Sequence, residues 1–258
     1  MASSDATGAA AGVTSFGTGL AVLGAFDLQA PRLTLAEIAG RCGISRFAAR
    51  RYLATLVDMG YLGNERKEYF LTHRVLRLGA VFLGSSELVY RVQPVLHRLT
   101  AETGENAYLW VRDGHETQVV AKATTNRITN RSHGVGAHFP LFVCSGGLSI
   151  AAALPSPDVQ VLLDRYLRKR RAADGDGGES GARSRIEAAL AQARERGYAI
   201  SEGQLDDNVR GVAVPLYGAR SELLGAISVN MFIGAETSMH AEQRVLRSLR
   251  RAAAAAFA

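Results

Sequence analysis

The sequence predicts an α+β chain of two domains: an N-terminal winged helix-turn-helix, a linker helix, and a C-terminal domain in which helices pack on an antiparallel sheet. Three observations lead there. Two helix-like segments meet at a glycine turn near residue 43 and run into the hairpin-like stretch YLGNERKEYFLT. Beyond residue 87 the chain mixes strand-like and helical runs. A length of 258 residues with 47% hydrophobic composition allows two domains, each with its own core. The expected division is a tail over 1–15, the winged helix-turn-helix over 16–73, the linker helix over 74–86 and the second domain over 87–258.

Taking the elements in order, MASSDATGAAAGVTS is small and polar, without the basic start and apolar centre of a signal peptide, and is expected to be a tail. SFGTGLAVLGAFD places Leu20, Leu23 and Phe26 at helical spacing ahead of the breaker Pro31. In TLAEIAGRC, Thr34 stands as an N-cap with Glu37 three residues on, a capping-box pattern, and Leu35, Ile38 and Ala39 point inward before Gly43 stops the helix. Ser45 caps the next helix, which puts Ala49, Leu53 and Leu56 on one face and Arg46 and Arg50 on another, with Arg51 beside them. Gly60 ends it. A β-hairpin wing follows, and HRVLRLGAVFLGSS, apolar at helical intervals, is the linker helix.

In the second half, PVLHRLTAETG is helical with a glycine stop, NAYLWVRDGHETQVVAKA is two strands about Asp113-Gly114, and CSGGLSIAAAL opens a helix. Helices are expected near 158–170 and 184–196, with the low-complexity ADGDGGESGA between them as a mobile loop. VRGVAVPLY and ELLGAISVNMF read as strands, and HAEQRVLRSLRRAAAAAF closes the chain as a helix.

Charge is unevenly spread. The formal net charge is +6, and between Arg32 and Arg77 there are nine Arg or Lys against four Asp or Glu, so 9 − 4 = +5 lies in under fifty residues. A helix-turn-helix needs a small residue where its helices approach, a turn with an unusual backbone angle, and an exposed polar face on the second helix. Ala39, Gly43 and the Arg46/Arg50/Arg51 face supply these. Arginine clamps phosphate and donates two hydrogen bonds to guanine in the major groove. Ser45 and the N–H groups at the helix start suit a backbone phosphate, Phe47 stands on the same first turn, and Arg66 and Lys67 at the hairpin tip would reach neighbouring phosphates or the minor groove. The DNA-contacting set is therefore Ser45, Arg46, Phe47, Arg50, Arg51, Arg66 and Lys67.

In the second domain, CSGGLS opens its helix with two glycines, leaving N–H groups at the positive end of a helix dipole, a seat for a carboxylate. Ser201, Ser228 and Asn230 are short hydrogen-bonding residues on or beside predicted strands. Ser228 and Asn230, two apart, face one side. Inward polar groups need partners, supplied by a ligand or by neighbouring backbone. Tyr108 and Trp110 share one side of a strand and suit either an aromatic ligand or the core, the core being favoured.

The stretches LTLAEIAGRCGISRFAARRYLATLVDMGYL, YFLTHRVLRLG, RERGYAISEG, VRGVAVPL and LLGAISV resemble the IclR-type bacterial transcription regulators over about residues 18 to 255. RFAARRYLATL and THRVLRLG look most like the branch that controls aromatic-acid catabolism, the protocatechuate and hydroxybenzoate regulators. The resemblance implies a GAF-like effector-binding domain, a homodimer often paired into tetramers, and a palindromic operator in double-stranded DNA. It also implies that Ser145 and Gly146 meet the effector's carboxylate, that Ser201, Ser228 and Asn230 are polar pocket positions, and that Val209 and Gly211 form the pocket wall. Gly211 replaces a side chain found in some relatives and Ser201 an acid, so a roomier, less acidic pocket is expected.

Other chemistry finds little support. His133 and His138 form the only close histidine pair and lack a third ligand, so no metal or other cofactor is expected. Ser145 and Cys144 lie in no G-x-S-x-G elbow, and no base can be assigned by spacing. ADGDGGESG lacks the lysine of a phosphate loop. RYLRKRR, residues 165–171, reads as a solvated helix end rather than a nucleic-acid contact. Two distant cysteines and no long apolar run point to a reducing cytoplasm without a membrane span. The expected function is a non-enzymatic transcription regulator whose promoter occupancy follows a small carboxylic acid, an aromatic one being favoured. Two other readings stay open: an enzyme acting on a small organic acid, and a regulator of the same fold sensing a neutral secondary metabolite.

Overall fold

A computed structural model describes residues 14–125, 133–174, 179–205, 207–233 and 239–257. Residues 1–13 of the tail expected over 1–15 and the centre of ADGDGGESGA, 175–178, lie outside the described residues, while residues 14 and 15 belong to the first helix. The chain divides by contacts into residues 1–82 and 83–258.

The first unit holds α1 (Thr14–Leu23), β1 (Leu33–Thr34), α2 (Leu35–Cys42), α3 (Arg46–Asp58), β2 (Leu62–Glu65) and β3 (Glu68–Leu71), followed by a 3-10 turn over His73–Val75 and α4 (Leu76–Ser85), in which the division falls. The local signals act as expected. Thr34 and Glu37 form both halves of the capping box, and Gly43 ends α2 in the left-handed conformation (φ 63°). Ser45 accepts a hydrogen bond from the Ala48 N–H at 3.2 Å and so starts α3. Ala49, Leu53 and Leu56 are the buried face of α3 and pack with Val22, Ile38 and Leu62.

The first helix departs from expectation. It begins at Thr14 and stops at Leu23, so Phe26 lies beyond it, and Val22 is the buried side chain while Leu20 is exposed. Phe16 and Leu20 share the outward face, while Val22, one turn on from Thr18, turns to the core, so the apolar spacing picks the outer side of this helix. The two-residue β1 pairs with β3 as a third strand of the wing, too short to carry a periodicity.

Behind the wing, Thr72 Oγ1 donates to the Gly60 carbonyl at 2.6 Å, Thr72 N–H donates to Tyr61 O at 2.9 Å, and Arg74 donates to Met59 O. These bonds satisfy carbonyls just past the end of α3 that the helix itself leaves open.

The second unit comprises α5 (Glu87–Thr103), β4 (Asn106–Asp113), β5 (Glu116–Ala123), β6 (His138–Pro140), α6 (Ser145–Ala153), α7 (Ser156–Asp174), α8 (Glu179–Arg196), β7 (Ala199–Glu202), β8 (Val209–Tyr217), β9 (Leu223–Phe232) and α9 (Met239–Ala255). Helix α5 starts seven residues before Pro94 and runs through it. α7 reaches Asp174 and α8 starts at Glu179, so both helices extend into ADGDGGESGA, where a loop was expected.

The six strands form one antiparallel sheet in the order β6-β5-β4-β9-β8-β7. Alternation along each strand divides the core in two. Val212, Val214, Ile227 and Val229 face α5 and α9, with Leu96, Leu99, Val245 and Leu249 opposite them. Ala226 and Trp110 belong to the other core, with Leu148, Ile150, Leu163 and Leu190 from α6, α7 and α8. Burying each such large side chain contributes about 1.5–3 kcal/mol. Helix α6 is buried from Ser145 to Ala151 and begins with Gly146 and Gly147. A methyl group on Gly147 would collide with the Leu141 carbonyl, and one on Gly146 with the Trp110 ring. Glycine is what lets this helix start lie flat on the sheet. Among the described residues no helix is long and apolar enough to cross a membrane.

Candidate functional site

On the first unit, Ser45, Arg46, Phe47, Arg50 and Arg51 are all exposed, as are Arg66 and Lys67 on the wing. Arg46 and Arg50 lie one turn apart, and Phe47 and Arg51 another pair one turn apart, so four long side chains cover the outer surface of the first two turns of α3. None of Arg46, Arg50, Arg51, Arg66 or Lys67 makes an ion pair or side-chain hydrogen bond among the described residues. Other basic residues of the unit are committed. Arg32 bonds Glu65 at 3.1 Å and lies over Phe70. Arg41 bonds Asp27 at 2.7 Å and holds that carboxyl below its ordinary pKa. Phe47, 75% exposed, has no core role and suits contact with an apolar base edge such as a thymine methyl.

The wing tip is strained. Arg66 (φ 51°) and Lys67 (φ 72°) both occupy the left-handed region, the geometry of a two-residue hairpin turn that favours Asn-Gly. Charge has been kept where backbone preference alone selects other residues. Replacing the pair with Asn-Gly is expected to stabilise the unit by about 1–2 kcal/mol in thermal unfolding. The same change should flatten the plot of log DNA affinity against log salt by roughly 1–2 units. An unchanged salt slope would remove the wing from the DNA contact.

In the second unit six of the seven predicted effector residues converge on one end of α6. Strand register aligns Ser201 with Gly211, Gly211 with Asn230, and Asn230 with Asn106, forming one rung across β7, β8, β9 and β4. A Cβ on Gly211 would lie 2.5 Å from Ser145 Oγ, 2.9 Å from Ser201 Oγ and 3.2 Å from Asn230 Oδ1. Three polar side chains therefore meet over a position that carries no side chain of its own. Ser228 lies on the next rung, opposite Ala213 and Tyr108. Val209 stands apart, two residues along β8 and paired with Phe232.

Two expectations are corrected. The N–H groups at the start of α6 are not all open: Ser145 N–H donates to Ser201 Oγ at 3.0 Å, and Gly147 N–H to Cys144 Sγ at 3.3 Å. A buried helix start cannot leave its donors without partners. Ser228 is likewise engaged, its Oγ accepting from Trp110 Nε1 at 2.7 Å, with both residues buried. The Asn230 side chain, by contrast, makes no hydrogen bond among the described residues. Trp110, which the sequence favoured as simple core, thus forms the floor beneath Gly146 and anchors Ser228. Tyr108, His133 and Phe139 surround it, with ring centroids 5.8–6.4 Å from the indole. Among the described residues no charged side chain belongs to this cluster, and the donors it offers an anion are neutral groups and the α6 dipole.

The thiol of Cys144, the N-cap of α6, is pushed up by burial from 9.0 to about 12. The folded protein holds this proton more tightly than the unfolded chain. Its contribution to stability is therefore complete below pH 9 and lost as pH rises toward about 12. Cys144→Ala should remove a slope of about 1.4 kcal/mol per pH unit from that window in alkaline denaturation, read against the parent protein. Coincident curves would mean that the thiol titrates alike in both states.

Of the remaining expectations, His133 packs edge-on against Phe139 at 4.8 Å, and His138 lies 4.0 Å from Glu116. Among the described residues no group of three or more His, Cys, Asp or Glu is placed to hold a metal. In RYLRKRR, Arg165, Arg168, Lys169, Arg170 and Arg171 are exposed on α7, with Lys169 3.6 Å from Glu116.

Comparison with known proteins gives two family matches: the IclR helix-turn-helix domain over residues 18–66, and the bacterial transcriptional regulator IclR C-terminal domain over residues 80–256. The chain is 32% identical to the Pca regulon regulatory protein of Pseudomonas putida over 91% of its own length and 79% of that protein's. It is 30% identical to the p-hydroxybenzoate hydroxylase transcriptional activator of Acinetobacter baylyi, over 84% and 80% respectively. Among solved structures, an IclR homolog from Microbacterium hydrocarbonoxydans complexed with 4-hydroxybenzoate matches with a TM-score of 0.68 at 22% identity, covering 94% of this chain and 97% of that one.

Proposed function

The chain belongs to the IclR family of bacterial transcriptional regulators, and from that premise we propose that the α3 arginines read a palindromic operator while the α6 cluster takes a small aromatic carboxylic acid. The convergence of Ser145, Ser201 and Asn230 over the bare Cα of Gly211 carries the ligand half of this reading. An entering carboxylate displaces Ser201 Oγ from the Ser145 N–H. Hydrogen bonds to an ionised acceptor are roughly twice as strong as neutral ones, and the helix dipole adds to the gain. Asn230 is left to bond a ring substituent, over an aromatic floor. The names of the relatives and the 4-hydroxybenzoate of the related structure support an aromatic acid of a catabolic pathway as effector.

Release of Ser201 loosens β7, the edge strand of the sheet. A ligand that binds the loosened arrangement better shifts the population toward it, which is what an effector must do. The role is regulatory rather than catalytic, and a thiol held protonated to about pH 12 supplies no nucleophile at neutral pH. Exposed apolar side chains on α1 and α4, Phe16 and Val81 foremost, support assembly into dimers or tetramers, which suits operator half-sites roughly 34–36 Å apart.

The test is a 4-hydroxybenzoate titration in two readouts. Trp110 is the only tryptophan, so its fluorescence reports the α6 site alone. Operator retention under competitor DNA reports the output. A saturable fluorescence change with a matching shift in operator affinity is expected. A flat fluorescence trace across benzoates would overturn the aromatic-acid reading and leave the DNA half standing.

A further inference from the structure

The described residues contain a second concavity in the C-terminal unit, about 270 Å³ in volume, between the C-terminal half of α6, the end of α8 and the end of β8. That is just below the range for small-molecule sites, roughly 300–1,000 Å³, and suits a single ring. Its walls are Ala152, Ala153 and Ala193, Gly197, Pro215 and Tyr217, with Tyr198 at its edge, the Tyr198 ring itself turning toward Glu242 and Arg250 of α9.

Two polar groups give it a chemistry. Ser149 lines the pocket, and its Oγ is the one buried side-chain nitrogen or oxygen among the described residues with no hydrogen-bond partner. Such a group costs stability unless something pairs with it. Arg194 also lines the pocket. Its Nε donates to the Ala152 carbonyl at 3.1 Å, which fixes the guanidinium, and its two Nη groups make no bond among the described residues. Those Nη groups form the fork that accepts a carboxylate end-on.

We infer that this pocket is a second ligand site for a small monocyclic carboxylic acid, its carboxylate on Arg194, its ring against Pro215 and Tyr217, and a hydrogen-bonding substituent on Ser149. It is separate from the Ser145 cluster and does not depend on that cluster being the effector seat. Both sites nevertheless share α6, with Ser145 and Ser149 one turn apart, and Tyr198 leads directly into the strand that carries Ser201. A ligand in one therefore biases the helix that forms the other.

The test titrates full-length protein with 4-hydroxybenzoate by calorimetry and tryptophan fluorescence, using the parent, Arg194→Met and Gly211→Val. The parent should bind two molecules per chain. Arg194→Met should bind one with the fluorescence response retained, and Gly211→Val one with that response lost. One molecule per chain in the parent, with Arg194→Met unchanged, overturns the second site and leaves the proposed function intact. Binding by Gly211→Val but not by Arg194→Met supports the second site and overturns the first. No binding by the parent overturns both for this ligand. Ser149→Ala guards against misfolding: removal of an unpaired buried hydroxyl should raise the melting temperature of the ligand-free protein while weakening the Arg194-dependent event at least tenfold. A lowered melting temperature with unaltered binding would count against the site.

Discussion

Alanine at both Arg50 and Arg51 is expected to abolish specific operator retention at physiological salt. Each side chain that reaches a base edge contributes about 1–3 kcal/mol, roughly five- to 150-fold in affinity. Loss of both from each of two half-sites removes about 4–12 kcal/mol, comparable to the roughly 4–10 kcal/mol between specific and loose binding. The fold should not suffer. Both arginines are exposed, away from the buried stripe of Ala49, Leu53 and Leu56, and neither side chain bonds another group among the described residues. Alanine is also the better helix former. Melting temperature and effector affinity should therefore match the parent while retention of operator fragments, measured against competitor DNA, disappears. Parental retention by the double variant would show that α3 lies elsewhere in the complex and that the basic count of the N-terminal unit is only a solvated surface.

Gly211→Val should do the reverse, abolishing the effector response while leaving DNA retention intact. The added carbons must enter the space where Ser145 Oγ, Ser201 Oγ and Asn230 Oδ1 converge. Those atoms are side-chain ends that can rotate away, and valine suits a strand, so the unit should stay folded at a cost of about 1–3 kcal/mol. The ligand has no comparable freedom. Calorimetry should show loss of the Ser145-dependent event, and promoter occupancy should no longer follow added acid. Tight parental binding in this variant would move the effector seat away from the rung formed by Ser201, Gly211 and Asn230.

The DNA-reading half was legible because its instructions are local. Thr34 and Glu37 lie three residues apart, Gly43 and Ser45 bracket one turn, and the wing is a single hairpin. What escaped was either too short or too distant in sequence. β1 has two residues, and Pro94 marked a false start for a helix that begins at Glu87. The proposed ligand site depends on partners far apart in the chain: Ser145 finds Ser201 across 56 residues and Trp110 finds Ser228 across 118. Spacing could nominate Ser201, Ser228 and Asn230 as inward-facing. It could not tell that Ser228 is already occupied and Asn230 is not, since that depends on which strand β9 adopts as a neighbour. The glycines of α6 were read as donors of N–H groups, while in the fold their missing side chains also admit the Trp110 ring and the Leu141 carbonyl.

The grip of Thr72 and Arg74 on Met59, Gly60 and Tyr61 sets how motion can travel within the N-terminal unit. Those bonds tether the tail of α3 to the segment from which α4 springs, so the two helices behave as a crank and its shaft. Torque applied to the shaft turns α3 bodily, together with the wing, because bending at the joint would strip several carbonyls of their donors at once. Thr72→Val or Arg74→Ala would introduce slack there, and a rotation of α4 would then dissipate in the joint before it reached the DNA.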